Sequence, residues 1–104
     1  MSVDLDTLPM VHIRRFCERW RIREFSLFGS MIRAGGEPPR DVDVLVSFED
    51  AEQWGLFELV AMRDELRALF GREVDLVSRA GIEASRNAHR RQAILESAVC
   101  IYGA

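Results

Sequence analysis

The sequence lacks most of the features that would commit it to a membrane, a disulfide scaffold or a nucleic-acid surface. No apolar run approaches the roughly 20 residues needed to span a bilayer. The opening Met1-Ser2-Val3-Asp4-Leu5-Asp6 has no basic stretch followed by an apolar one, so no signal peptide is visible. Cysteine occurs only twice, at Cys17 and Cys100, far apart and each within an apolar pattern. Two separated thiols make neither a disulfide framework nor a zinc site, both of which need clustered or more numerous ligands. Positive charge is not in excess either. Fourteen basic against 17 acidic residues leave a formal net charge of -3, which argues against a dedicated nucleic-acid surface because phosphate binding wants a cationic face. No repeat, low-complexity tract or linker divides the 104 residues, so Met1–Ala104 reads as a single domain of a cytoplasmic protein.

What is present is the balance of a globular α/β chain, 48% hydrophobic and 30% charged. Ile13, Phe16, Cys17 and Trp20 fall at i, i+3, i+4 and i+7, one stripe of an amphipathic helix. Thr7 and Pro9 stand where a cap and an early-turn proline belong. Phe25–Phe28 reads as a short strand broken by Gly29-Ser30, with a short helical stretch and then a Gly/Pro loop through Arg40. Val42–Phe48 is the clearest strand, with Val42, Val44 and Val46 on one face and Asp43, Leu45 and Ser47 on the other, less greasy one. Leu59, Met62, Leu66, Leu69 and Phe70 give a second helix stopped by Gly71. Glu73–Val77 is a third strand, and the chain turns helical again after Gly81, from about Ser85 to Glu96. Ala98–Tyr102 closes the chain as a fourth strand or a docked end. This order predicts a small mixed sheet with helices largely on one face.

Three aspartates stand out by position. Asp41 and Asp43 are two apart at a strand start, so their side chains leave the same face, roughly 6–7 Å apart at the backbone. Carboxylates at that separation suit a pair of divalent ions about 3.5–4 Å apart, the spacing of two-metal phosphoryl-transfer sites. Magnesium fits because it takes oxygen ligands and keeps waters for substrate phosphates to displace. Asp75 interrupts the apolar run Val74-Asp75-Leu76-Val77 and calls for a partner: a metal, a cation such as Arg72 or Arg79, or a run of amides. An Asp-x-Asp alone is more often a solvated strand end or a turn cap. The segment before it shifts the balance: Gly29 lets the backbone approach a ligand closely, and amides at the following helix start, with the Ser30 hydroxyl, make an anion site.

Gly29-Ser30-x-x-Arg33, a loop, Asp41-x-Asp43-Val44-Leu45-Val46, and a distant Val74-Asp75-Leu76-Val77 together resemble the minimal nucleotidyltransferases of the DNA polymerase beta-like superfamily. The motifs run from Phe25 to Ser78, and the element order fits from about Ile13 to Tyr102. The resemblance implies that Gly29 and Ser30 bind the triphosphate of ATP. It implies that Asp41 and Asp43 hold two magnesium ions, and that Asp75 completes the metal site near the attacking hydroxyl. Two positions depart from the family pattern: Ala34 follows Arg33 where glycine is common, and Arg40 precedes Asp41 where serine is common. Neither removes a metal ligand, though both bear on loop shape and local charge.

A domain of this size builds a nucleotide platform but leaves little to enclose an acceptor, so the acceptor is expected as a second protein. In the family that companion is a small helical HEPN-type toxin, which the transferase neutralises as its antitoxin by adenylating a tyrosine; this is family analogy. A module that keeps the fold and neutralises its partner by occlusion is the alternative, and it would not need three carboxylates. A metal-dependent phosphoesterase would give Gly29-Ser30 no task. Arg86, Arg90 and Arg91 read as a solvated helix face, and His12 and His89 as ordinary residues. Trp20, Trp54 and Phe57 read as core or partner contacts, and Tyr102 as a packed end.

Overall fold

The computed structural model describes residues 9–28, 41–50 and 54–103. The expected roles of Thr7, Gly29, Ser30, Arg33, Ala34 and Arg40 lie outside the described residues. Element order is α1 (Met10–Arg19), β1 (Ile22–Phe28), β2 (Asp41–Phe48), α2 (Leu56–Phe70), β3 (Glu73–Ser78), α3 (Arg79–Glu83), α4 (Ala88–Ser97) and β4 (Val99–Gly103). The strands form one mixed sheet in the order β3-β2-β1-β4. β1 is antiparallel to both β2 and β4, whereas β2 and β3 run parallel. Parallel neighbours cannot be joined by a tight turn, and α2 supplies the crossover.

The hydrophobic stripes fall where their periods direct them. Ile13, Phe16 and Cys17 of α1 and Met62 and Leu66 of α2 pack on Phe25, Leu27, Val42, Val44, Val46 and Val74, the main core on one face of the sheet. Gly71 ends α2 in the left-handed conformation (φ 67°), and its N–H donates to the Arg67 carbonyl at 2.8 Å. A side chain would be strained there, which is why the stop is glycine.

The other face is not bare. Leu45, on the face expected to be the less apolar, joins Phe28, Ile82 of α3 and Ile94 of α4 in a smaller cluster with Val77 against it. Helices therefore cover part of both faces, with the larger core on the α1/α2 side. The helix expected near Ser85–Glu96 is α4, capped by Asn87, which accepts from the Arg90 N–H at 3.0 Å; the short α3 before it was not expected, with Gly81 inside it and its Ser78 cap accepting from the Gly81 N–H at 3.0 Å. The C-terminal tail is a strand.

Two tryptophans tie the periphery to this core. Trp54 donates from Nε1 to the Trp20 carbonyl at 2.7 Å, the rings meet edge to face at 5.1 Å, and Trp20 donates to Glu65 at 3.2 Å. Phe57, by contrast, is 88% exposed.

Cys17 sits at the centre of the α1 stripe, fully buried. Desolvation, with smaller contributions from Cys100 and Glu18, pushes its thiol from 9.0 up to about 12. The folded chain thus keeps a proton that the unfolded chain gives up. The associated stabilisation is complete below about pH 9 and is lost as pH rises from there toward about 12. Cys100 is exposed. An aromatic disulfide reagent at mildly alkaline pH should therefore find one reactive thiol in the native protein and a second only in denaturant. Two fast thiols in the native state would contradict the burial of Cys17.

Candidate active site

Strand alternation turns Val42, Val44 and Val46 into the main core and leaves Asp43 and Leu45 for the opposite face. Asp43 pairs in register with Phe28, the last residue of β1, and with Asp75 of β3. Parallel neighbours in register share a face and lie about 4.8 Å apart. The two aspartates, 32 positions apart in the sequence, therefore stand side by side where β1 ends and β2 and β3 begin. Asp43 is half-buried and Asp75 exposed. Asp41 opens β2, and its backbone is in register with Glu73.

The burial argument that singles out Asp75 in the sequence does not hold in the fold. β3 is an edge strand in which Val74 alone is buried, so the Asp75 carboxylate meets water. Nor is Asp75 neutralised by Arg79, which reaches Glu24 at 3.9 Å and Glu83 at 3.8 Å. Asp75 enters no ion pair among the described residues.

Sequence reading missed one acid at this corner. Glu73, two positions before Asp75, belongs to the same strand face, and its carboxylate accepts from Arg67 Nη2 at 2.7 Å. The signal was available in the repeated spacing: Glu73-x-Asp75 copies Asp41-x-Asp43, and parallel pairing sets the two pairs side by side. Among the described residues, no three His, Cys, Asp or Glu side chains converge on a point that could hold a metal ion. Asp43 and Asp75 supply two hard oxygen donors, the chemistry magnesium prefers, and the backbone of Asp41 lies two positions from Asp43.

The remaining candidates lie elsewhere. Arg86 and Arg90 are exposed on the α4 end of the chain, and Arg91 donates to the Ser85 carbonyl at 2.8 Å. Tyr102 is half-buried against the main core and pairs with Phe25 in the middle of β1, three residues before the Phe28 that pairs with Asp43. No described helix is long and apolar enough to cross a membrane.

Known proteins resemble this chain in sequence and in fold. The family model of the nucleotidyltransferase domain matches residues 10–101. Protein adenylyltransferase MntA of Thermococcus cleftensis is 31% identical over 81 residues, covering 78% of this chain and 80% of that protein. A solved structure described as a minimal nucleotidyltransferase superposes with a TM-score of 0.68 at 29% identity, over 93% of this chain and 95% of that one. A chain of the solved complex of tri-AMPylated Shewanella oneidensis HEPN toxin with MNT antitoxin gives a TM-score of 0.63 at 17% identity, over 90% of this chain and 69% of that one, a likeness of fold. The mixed four-stranded sheet, the family match across nearly the whole chain and the 31% identical relative together make this chain a member of the nucleotidyltransferase domain family and, by that membership, a nucleotidyltransferase.

Proposed function

We propose that the whole chain is one nucleotidyltransferase domain that, with magnesium, transfers AMP from ATP to a hydroxyl of a partner protein. The partner in this reading is a HEPN-type toxin, and the chain is its cytoplasmic antitoxin. The observation that carries the reading is the in-register placement of Asp43 and Asp75 at the start of the parallel strand pair. It is supported by the names of the relatives, a protein adenylyltransferase and an antitoxin held with an AMPylated toxin.

Asp41, Asp43 and Asp75 would hold the metal, and Gly29 and Ser30 the triphosphate. Bound magnesium supplies a lowered hydroxyl pKa at the acceptor and charge neutralisation at the leaving pyrophosphate. The acceptor oxygen bonds to the α-phosphorus as the bond from that phosphorus to the bridging oxygen breaks, and pyrophosphate departs in line. Asp75, exposed beside Asp43, takes the hydroxyl proton and orients the attacking oxygen. Occlusion alone would assign neither aspartate a task.

A thermal-shift titration tests the nucleotide site. ATP should raise the melting temperature of the wild type only with magnesium present, since a ligand at one hundred times its Kd stabilises by about 2.7 kcal/mol. The shift should disappear in Asp41→Asn/Asp43→Asn. Stabilisation by ATP that ignores both magnesium and the two substitutions would overturn the assignment.

A further inference from the structure

Four acidic residues, not three, occupy the opening positions of β2 and β3: Asp41 and Asp43 stand in register with Glu73 and Asp75. A fourth carboxylate would change what the corner binds. Each added negative charge draws divalent cations in more tightly and repels the polyphosphate that must enter with them. A magnesium ion bound to a nucleotide therefore takes one or two carboxylates and leaves its remaining positions to water and phosphate oxygens, a share that three carboxylates divided over a pair of ions still meet.

Glu73 has the reach to intrude. It carries the same oxygen donors as aspartate on a side chain one methylene longer, about 4.8 Å across the sheet from Asp41 at the backbone. Yet Asp43, Glu73 and Asp75, all described, do not converge as a three-ligand set. The Glu73 carboxylate is engaged by Arg67 Nη2 at 2.7 Å, while Arg67 Nη1 lies 3.7 Å from Asp64. The backbone is held at both ends of the pair. The Arg67 carbonyl accepts from the Gly71 N–H at the α2 C-terminus, and Glu73 is fixed by its pairing with Asp41.

We propose that Arg67 is a positioning residue that holds Glu73 out of the metal site and so keeps that site at three carboxylates. This rests on the metal reading above and adds a role for a residue pair outside its motifs.

The test uses Mn2+ as the probe, titrated into the full chain and followed by the electron paramagnetic resonance of the free ion. Arg67→Ala should tighten Mn2+ binding about fivefold by releasing Glu73, and should raise the KM for ATP at saturating magnesium. Adding Glu73→Gln to Arg67→Ala should return both constants to wild type. Arg63→Ala, which removes an arginine 3.4 Å from Asp64 but not from Glu73, should leave Mn2+ binding unchanged. Direct ligation by Glu73 also predicts that the tightening persists at high salt, where through-space effects of exposed charges are screened.

An Arg67→Ala protein with the wild-type constant overturns the proposal. So does a shift that survives Glu73→Gln, or one abolished by salt. Wild-type Mn2+ binding that is indifferent to Asp43→Asn overturns the metal reading itself, and the role of Arg67 with it.

Discussion

Asp43→Asn and Asp75→Asn should each lower AMP transfer by about a thousandfold or more, through a lower kcat together with a raised KM for ATP where metal binding weakens. Asparagine keeps the shape of aspartate and one of its oxygens but removes the charge that binds a hard cation. At Asp75 it also removes the group proposed to take the acceptor proton. The fold should tolerate either change. Asp75 is exposed on an edge strand, so Asp75→Asn should move the melting temperature by no more than surface substitutions do, within about 0.5 kcal/mol. Asp43 is half-buried and has a side-chain or backbone partner, so its variant should lose somewhat more. The double variant should be little worse than the weaker single, because groups that serve one site act as a unit. Transfer of label from α-labelled ATP to the partner measures all three. Either single variant retaining activity within about tenfold of wild type would remove that aspartate from the proposed machinery.

The reason one aspartate of this pair is easy to find and its neighbour's context is not lies in what a sequence encodes locally. The period-2 alternation of Val42, Val44 and Val46 fixes which face Asp43 leaves, and the 3.6-residue stripes of Ile13, Phe16 and Cys17 and of Met62 and Leu66 fix what covers the valines. Strand register is a different matter. That Asp75 lies beside Asp43, and Glu73 beside Asp41, depends on where α2 ends and how β3 docks, which no local pattern states. The same gap hid the second cluster, since a lone leucine at Leu45 gains meaning only when Ile82 and Ile94 arrive from helices distant in sequence. α3 was missed because Gly81 is a helix breaker by propensity, whereas here a five-residue helix is secured by its Ser78 cap. The exposure of Asp75 follows from β3 standing at the sheet edge, and strand order is likewise absent from the linear sequence. Composition and motif therefore carry the chemistry, and topology decides which acids share it.

Two phenylalanines that look alike in the sequence should differ sharply when removed. Phe25 is fully buried in β1, paired with Val46 of β2 on one side and Tyr102 of β4 on the other. It meets Phe16 of α1 edge to face, with ring centroids 6.2 Å apart at 84°. Phe25→Ala should cost about 3–5 kcal/mol, the transfer energy of the lost ring plus the cavity left between α1 and the sheet. Against a total of about 5–15 kcal/mol for a domain, that is a large share of the stability, and the melting temperature should fall by about 12–40 °C. Phe57, on the first turn of α2, is 88% exposed, and its neighbour Leu56 is 75% exposed. Phe57→Ser removes no packed ring, so stability should stay within about 0.5 kcal/mol of wild type. Urea unfolding of both variants reads the contrast, with unchanged m-values confirming that the same surface is exposed on unfolding. A destabilisation by Phe57→Ser comparable to that of Phe25→Ala would mean that the start of α2 is packed in solution. The Trp20–Trp54 contact would then no longer mark the outer limit of the core on that side.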